Sequence, residues 1–323
     1  MSETLRVMLA DLESAAEIYR PTRFWQDCSK EIIADIAKEG LECFKRHPSA
    51  LNYYVSSYAL SYNYNKDVME YFIRMHFQTL QNFLKPCNVY DFERIFESDV
   101  GQPPEPLNIN SRRTSHSMLR YGRGLALLSM YADEPLYRFL EIGGGFGCLG
   151  EILLKSHPLN RYINVDIPPT AAVSSYYLST VFSDRVTPYE ETRGWDEIQG
   201  DDLIGKKRAA VLCSWQLPKL RGKIDVFTNF VSFQEMEINV VSNYVSLVAA
   251  LEPKYILLRN AREGKRADGA PADVIRTNDK VSSDTIYAFF AEKGYRILTR
   301  ESDPFGDTFN GILISEVCVL KRT

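Results

Sequence analysis

Residues 137–156 constrain the fold more than any other stretch of the chain. Tyr137-Arg138-Phe139-Leu140-Glu141-Ile142 has the length and apolar content of a buried strand, and Gly143-Gly144-Gly145-Phe146-Gly147 follows without a spacer. Residues 148–156 then read as an amphipathic helix. A strand feeding directly into a glycine turn and a helix is the opening unit of a nucleotide-binding α/β domain. The glycines permit positive φ in the turn, and their missing side chains let a ligand approach the backbone and the helix N-terminal amides.

The downstream pattern agrees with an α/β, Rossmann-like sheet. Further strands are predicted at 161–165 (ending in Asp166), 209–213, 225–229 and 254–258, with helices at 238–251 and 284–292. Pro168-Pro169 suits the first turn of the helix after Asp166. Residues 182–207 form a long insertion, with a strand at 185–189. Two final strands, 295–299 and 312–320, flank a Pro/Gly/Asp loop and predict a terminal antiparallel hairpin. The first hundred residues read instead as helical. Ile32, Ile33, Ile36, Ala37, Leu41 and Phe44 form one stripe, and Met69, Phe72, Ile73, Phe77, Leu80, Phe83 and Leu84 form another. His76 borders the second stripe as a packing residue, and the tyrosines between 53 and 64 read as helix packing or, alternatively, as the lining of a sugar or aromatic site. Residues 101–106 mark a linker, and a helix capped by Thr114 or Ser115 runs towards Tyr131. The expected organisation is a helical N-terminal domain, 1–110, serving as substrate cap or oligomerisation unit, and a ligand-binding α/β domain, 111–323.

Two ligand classes compete for the glycine turn. Residues 145–150 fit the GxGxxG of dinucleotide enzymes, which would make the chain an NAD-dependent oxidoreductase. Glu141 extends the pattern to ExGxGxG and sets an acid where a pyrophosphate would be repelled and the amino group of a cationic sulfonium ligand would be attracted. Gly143, Gly145 and Gly147 are the expected backbone contacts. Asp166, with Ile167 beside it, is placed to accept the two ribose hydroxyls of an adenosine ligand. Ser214, Trp215 and Gln216 follow the third strand, beside an adenine, although Trp215 reads equally well as core. Asn229 closes the fourth strand. Ligands of open α/β sheets lie outside the carboxyl ends of the strands, which makes Gln234 and Glu235 candidates for the acceptor side, with Arg259 and Asn260 at the outer end of the fifth strand. Glu235 also reads as a plain helix-start carboxylate. His116, near Arg112, Arg113 and Arg120, is either a second candidate base or a helix cap. Residues 263–271 are glycine-rich and charged, as a mobile lid would be.

Composition excludes several classes. The net charge of −4 gives no electrostatic reason for nucleic acid or an anionic membrane as partner. No apolar run reaches the roughly 18 residues of a membrane span, and the first residues lack the apolar core of a secretory signal. Six cysteines without a C-x-x-C pair fit a reduced, cytoplasmic protein. The four histidines share no ligand spacing, so no metal is expected.

Four segments together resemble the bacterial sugar O-methyltransferase family of class I methyltransferases: FLEIGGGFGCLGEILL (139–154), YINVDIPPTAAVSSYYLSTVF (162–182), SWQLPKL (214–220) and IDVFTNFVSFQEMEINVVSNYV (224–245). The resemblance covers about half of the chain, and the VDIPP and SFQEM segments are the more specific ones. The resemblance implies S-adenosylmethionine as methyl donor, held by Glu141, Gly143, Gly145, Gly147 and Asp166, with SFQEM at the active-site edge and a small-molecule acceptor, a sugar or sugar-containing compound. An in-line methyl transfer to a hydroxyl calls for a base, and Glu235 and His116 are the candidates. Another natural-product acceptor, methylated on nitrogen or oxygen, is the alternative. A non-catalytic binding protein is disfavoured because ExGxGxG and Asp166 are intact. The helical front could support a homodimer.

Overall fold

The computed structural model describes residues 2–55, 71, 74, 75, 77, 78, 80, 96–103, 107–109, 112–264, 280–302, 308, 309 and 313–323. Seven strands organise it: β1 Arg138–Ile142, β2 Arg161–Asp166, β3 Ala209–Cys213, β4 Val226–Phe230, β5 Tyr255–Ala261, β6 Tyr295–Ser302 and β7 Leu313–Arg322. In space they run β6-β7-β5-β4-β1-β2-β3, with the two-residue strand Val186–Thr187 beyond β3 and Thr308–Phe309 paired to β7. β1 to β5 are parallel, whereas β7 runs antiparallel to both β5 and β6. The order reverses at β1 and β4, so the carboxyl ends of these strands and of β2 open onto the crevice where such sheets bind ligands.

Helices cover both faces, which is why the central strands are buried in nearly every position. One face carries α1 (Glu3–Leu12), α2 (Arg23–Glu39), α4 (His116–Tyr131), α5 (Cys148–Ser156) and α6 (Thr170–Phe182); α3 is the short helix Pro48–Tyr53. The other face carries α7 (Ile238–Ala250) and α8 (Ser283–Glu292). Strand alternation divides the residues cleanly: Phe139, Tyr162 and Val211 point to the first core, and Leu140, Ile163 and Leu212 to the second. This is a Rossmann-like doubly wound sheet with a helical N-terminal region and a terminal antiparallel hairpin. No helix among the described residues is long and apolar enough to cross a membrane.

Some boundaries differ from expectation for local reasons. α6 begins at Thr170 and Pro169 is its N-cap residue, because Asp166 Oδ1 accepts from Ile167 N and Thr170 Oγ1 and holds the intervening prolines in a turn. β5 extends to Ala261 because β7 pairs with it over its whole length, which draws Arg259 and Asn260 into the sheet instead of leaving them beyond its end. The predicted strand at 185–189 shrinks to Val186–Thr187, since Pro188 has no N–H to continue it, and a helical turn, Tyr189–Thr192, follows. Ser115 is the cap of α4, accepting from Met118 N. Phe77 and Leu80 of the second stripe pack with Ile109, Leu119 and Ala126. His76, the tyrosines from 56 to 64 and most of 263–271 lie outside the described residues.

Among the described residues, α1 and α2 pack into the core of the sheet. Leu5, Met8, Ile32 and Ile36 join the same apolar cluster as Phe146, Leu149 and Tyr177. A buried ion pair fastens this union: Lys45 Nζ lies 2.6 Å from Glu97 Oε1 and 4.7 and 4.4 Å from the ring centres of Phe146 and Tyr177. Removing one partner leaves the other charge buried, whereas replacing both by apolar groups is tolerated. Lys45→Met is therefore expected to cost about 3–5 kcal/mol in urea denaturation, and Lys45→Met/Glu97→Leu to recover most of it. A double variant no more stable than the single one would show that the pair does not hold this junction.

Candidate active site

Three carboxyl groups converge at the carboxyl ends of β1, β2 and β4. Period-two alternation in β2 sets Tyr162, Asn164 and Asp166 on one face, next to Glu141 of β1, directly beneath the glycine turn. Glu141 is fully buried, and its Oε2 accepts a short hydrogen bond from Tyr162 while its Oε1 accepts none. Asn164 Oδ1 accepts from Gly144 N and its Nδ2 donates to Ser174. Gly143, Gly145 and Gly147 all have positive φ. Gly144 is required by space: a Cβ there would stand 2.5 Å from Glu141 Oε2, 2.6 Å from Asn164 Oδ1 and 2.7 Å from the Tyr162 hydroxyl. Above Gly145 sits Tyr54, whose nearest atoms would be in ordinary contact with an added Cβ at 3.6 Å and beyond.

Asp166 folds back on the turn. Its Oδ2 accepts from Gly145 N at 3.0 Å, and its Oδ1 accepts from Ile167 N at 2.8 Å and Thr170 Oγ1 at 2.9 Å. Burial raises the Asp166 pKa to about 7, these hydrogen bonds offset part of the rise, and the charge of Glu235 adds to it. Burial likewise raises Glu141 to about 8, against the phenols of Tyr162 and Tyr121, with Asp166 adding a further push. The acids thus sense one another in series, Glu235 acting on Asp166 and Asp166 on Glu141.

Glu235 ends a 3₁₀ turn, Ser232–Glu235, that leaves β4 through Val231, a β-branched residue at φ 78°. Such a residue in the left-handed region is strained, and the surroundings hold it there: Val231 N donates to Arg259 O, while Asn229 bonds Ile142 O, Ser232 Oγ and Phe233 N. Glu235 is buried and accepts from Trp25 Nε1 at 2.9 Å. That donor comes from the N-terminal region, 210 residues away in sequence. Trp25 forms an aromatic group with Phe24 and Tyr53, and Ser214 Oγ donates to the Tyr19 carbonyl. The wall opposite the sheet is therefore built by residues 19–54.

The structure sorts the other predicted residues. Glu141, Gly143, Gly145, Gly147, Asp166 and Ile167 meet at the turn, with Glu235 alongside. Asn229, Gln216 and Gln234 act as braces. Gln216 bonds Cys213 N and Thr192, and Gln234 bonds the backbone of Ala261 and Val281. Trp215 is half-buried against the core. Asn260 is fully buried within β5, and neither of its amide atoms has a hydrogen-bond partner. Arg259 is buried on the α4 side, where it acts on Tyr121, and Tyr121 stacks on Phe230 at 4.5 Å. His116 opens that same helix, five residues and about 7.5 Å along the axis from Tyr121. Sequence reasoning missed Tyr162, Asn164 and Trp25. The alternating polar positions of Tyr162-Ile163-Asn164-Val165-Asp166 carried a signal for the first two, whereas Trp25 carried none; Tyr54 belongs to the tyrosine cluster that the sequence marks.

No protein-family model matches the chain, and no curated protein matches it in sequence. Among solved structures it is similar to magnesium protoporphyrin IX methyltransferase from Synechocystis PCC 6803 with bound SAM (14% identity, TM-score 0.41, 64% of this chain and 80% of that one). It is also similar to the pyocyanin biosynthetic protein PhzM (11%, 0.40, 64% and 56%) and to the mitomycin 7-O-methyltransferase MmcR (16%, 0.39, 64% and 58%).

Both raised carboxyls bind protons more tightly in the folded chain than at their ordinary values of 4.5 and 3.8. The stability they confer is complete below those values and is lost as pH rises through about 7 and about 8. The ligand-free protein is expected to lose Tm between pH 5 and pH 8, and Glu141→Gln/Asp166→Asn to flatten that slope. An unchanged slope in the double variant, followed by thermal denaturation, would assign the pH dependence to other groups.

Proposed function

We propose that this chain is an S-adenosylmethionine-dependent methyltransferase acting on a hydroxyl of a small molecule, with a sugar or sugar-containing acceptor. The observation that carries the donor assignment is the buried Glu141 carboxyl beneath a glycine turn, held by neutral phenols and by no cation among the described residues, with Asp166 and Glu235 coupled to it in series. A chamber of three acids disfavours a pyrophosphate and suits a ligand bearing an ammonium and a sulfonium. The residues fit that donor: Glu141 receives the ammonium, the turn lets the ligand lie against the backbone, and Asp166 exchanges its bonds to Gly145 N and Thr170 for the ribose hydroxyls. When bound, the donor supplies an electrophilic methyl group. Ser214 and Trp215 line the adenine side.

Glu235 is the base in this reading. Trp25 Nε1 donates to the carboxylate and orients it, and the carboxylate takes the acceptor's proton as its oxygen attacks. The aromatic group Phe24, Trp25 and Tyr53 offers apolar ring faces beside it, a surface on which a sugar can rest. The sugar assignment itself rests on the sequence resemblance.

Calorimetry is expected to show binding of the adenosyl product and none of NAD; NAD binding without a response to the adenosyl product would overturn the donor assignment. Asp166→Ala should weaken the product by at least about 1.5 kcal/mol, roughly tenfold, with the fold intact. Glu235→Gln is expected to lower turnover about 10²–10⁴-fold while the donor still binds. Turnover that persists would move the base to His116, tested by His116→Ala, and collapse of donor binding would place Glu235 in the donor site.

A further inference from the structure

We propose that Glu39, Cys43 and His47 form a binding site for a zinc-class divalent cation at the elbow between α2 and α3. Glu39 is the last residue of α2, His47 is the N-cap residue of α3, and Cys43 lies between them. One donor atom from each lies within 4.8 Å of the other two. Cys43 Sγ and His47 Nε2 are 3.6 Å apart. With Zn–S of about 2.3 Å and Zn–N of about 2.0–2.1 Å, a tetrahedral site has an S–N edge of about 3.6 Å, so the cation fits between these atoms without movement.

The chemistry of the donors agrees with the spacing. A thiolate, a carboxylate and a neutral imidazole balance a doubly positive ion, and the mixed S, O and N set suits zinc over magnesium or calcium. His47 is fully buried: its Nε2 faces Cys43, and its Nδ1 has no hydrogen bond. Glu39 is exposed and Cys43 half-buried, which leaves the outer side open to water as a fourth ligand. The elbow is already rigid, because Asp35 Oδ2 accepts from both Ser49 N and Ser49 Oγ and ties α3 to α2. Lys38, which pairs with Glu39 at 3.0 Å, is exposed and can swing away. The cysteines alone and the histidines alone show no ligand spacing; the site arises only when one of each joins an acid at four-residue steps. The proposal departs from the expectation of no metal, which considered the cysteines and the histidines separately. The elbow lies between Trp25 and Tyr54, so the cation would stiffen the segment that presents both.

The binding step is Cys43–SH plus Zn²⁺ giving the zinc thiolate and one released proton. Full-length protein stripped with a chelator and titrated with Zn²⁺ is expected to bind one equivalent, release one proton and gain Tm. Co²⁺ should produce a thiolate-to-metal charge-transfer band. Cys43→Ser and His47→Ala are each expected to weaken Zn²⁺ by at least about tenfold, since even outer-shell partners of a metal contribute about 10–100-fold. Cys28→Ser should change nothing. Circular dichroism verifies folding, and binding of the adenosyl product reports the methyl-transfer site independently. Absence of the cobalt band, or a band that survives Cys43→Ser, overturns the proposal, and it does so whether or not the adenosyl product binds.

Discussion

The burial of the Glu141 carboxyl at the end of β1 is the constraint on which the arrangement around it depends. A carboxyl out of water is costly unless it is protonated, paired or hydrogen-bonded. Here one oxygen is satisfied by Tyr162 and the other is not. Because both oxygens lie under the turn, residue 144 has to be glycine, Asn164 has to bond the turn's amide, and β2 has to hold its polar residues on that face. The ligand-free chain thus keeps an acid poised between a neutral form, stable by itself, and an anionic form that a cationic ligand would stabilise.

The second constraint is the closure of the chamber by residues far away in sequence. Tyr19, Trp25 and Tyr54 reach Ser214, Glu235 and Gly145, so the chamber is shared between the N-terminal region and the sheet. This sharing explains why the N-terminal region needs a firm attachment. The Lys45–Glu97 pair fastens the segment after α2 against Phe146, inside the glycine turn itself, and against Tyr177 on α6. Glu151, buried beside the pair, extends the network to Ser98 and Lys155. A disturbance at the elbow between α2 and α3 would be felt at the turn through shared side chains.

The loop after β4 is held differently, by strain balanced with hydrogen bonds. Val231 adopts a backbone conformation unfavourable to a β-branched residue, and the compensation comes from Asn229, Ser232 and Gln234, whose side chains bond the carbonyls at the ends of β1 and β5. The result aims Glu235 at Trp25 and, electrostatically, at Asp166. Residues that look like ligands in the sequence, Asn229 and Gln234 among them, are used to hold that aim.

By itself the sequence determined the alternation of strands and helices, the glycine turn with its flanking acids and the terminal hairpin. These are local: they follow from residue periodicity, from the conformational freedom of glycine and from apolar runs that can be buried only in a sheet covered on both faces. Tertiary structure alone decided which polar residues face the chamber. Gln216, Asn229, Gln234 and Asn260 match Glu141 and Asp166 in polarity, yet Asn260 is drawn into the sheet by pairing with β7 and the other three bond protein groups. Trp25 belongs to a helical stretch with no local mark of a site. Its role comes from the packing of α2 onto the sheet, a contact with Glu235 across 210 positions that no local pattern can encode.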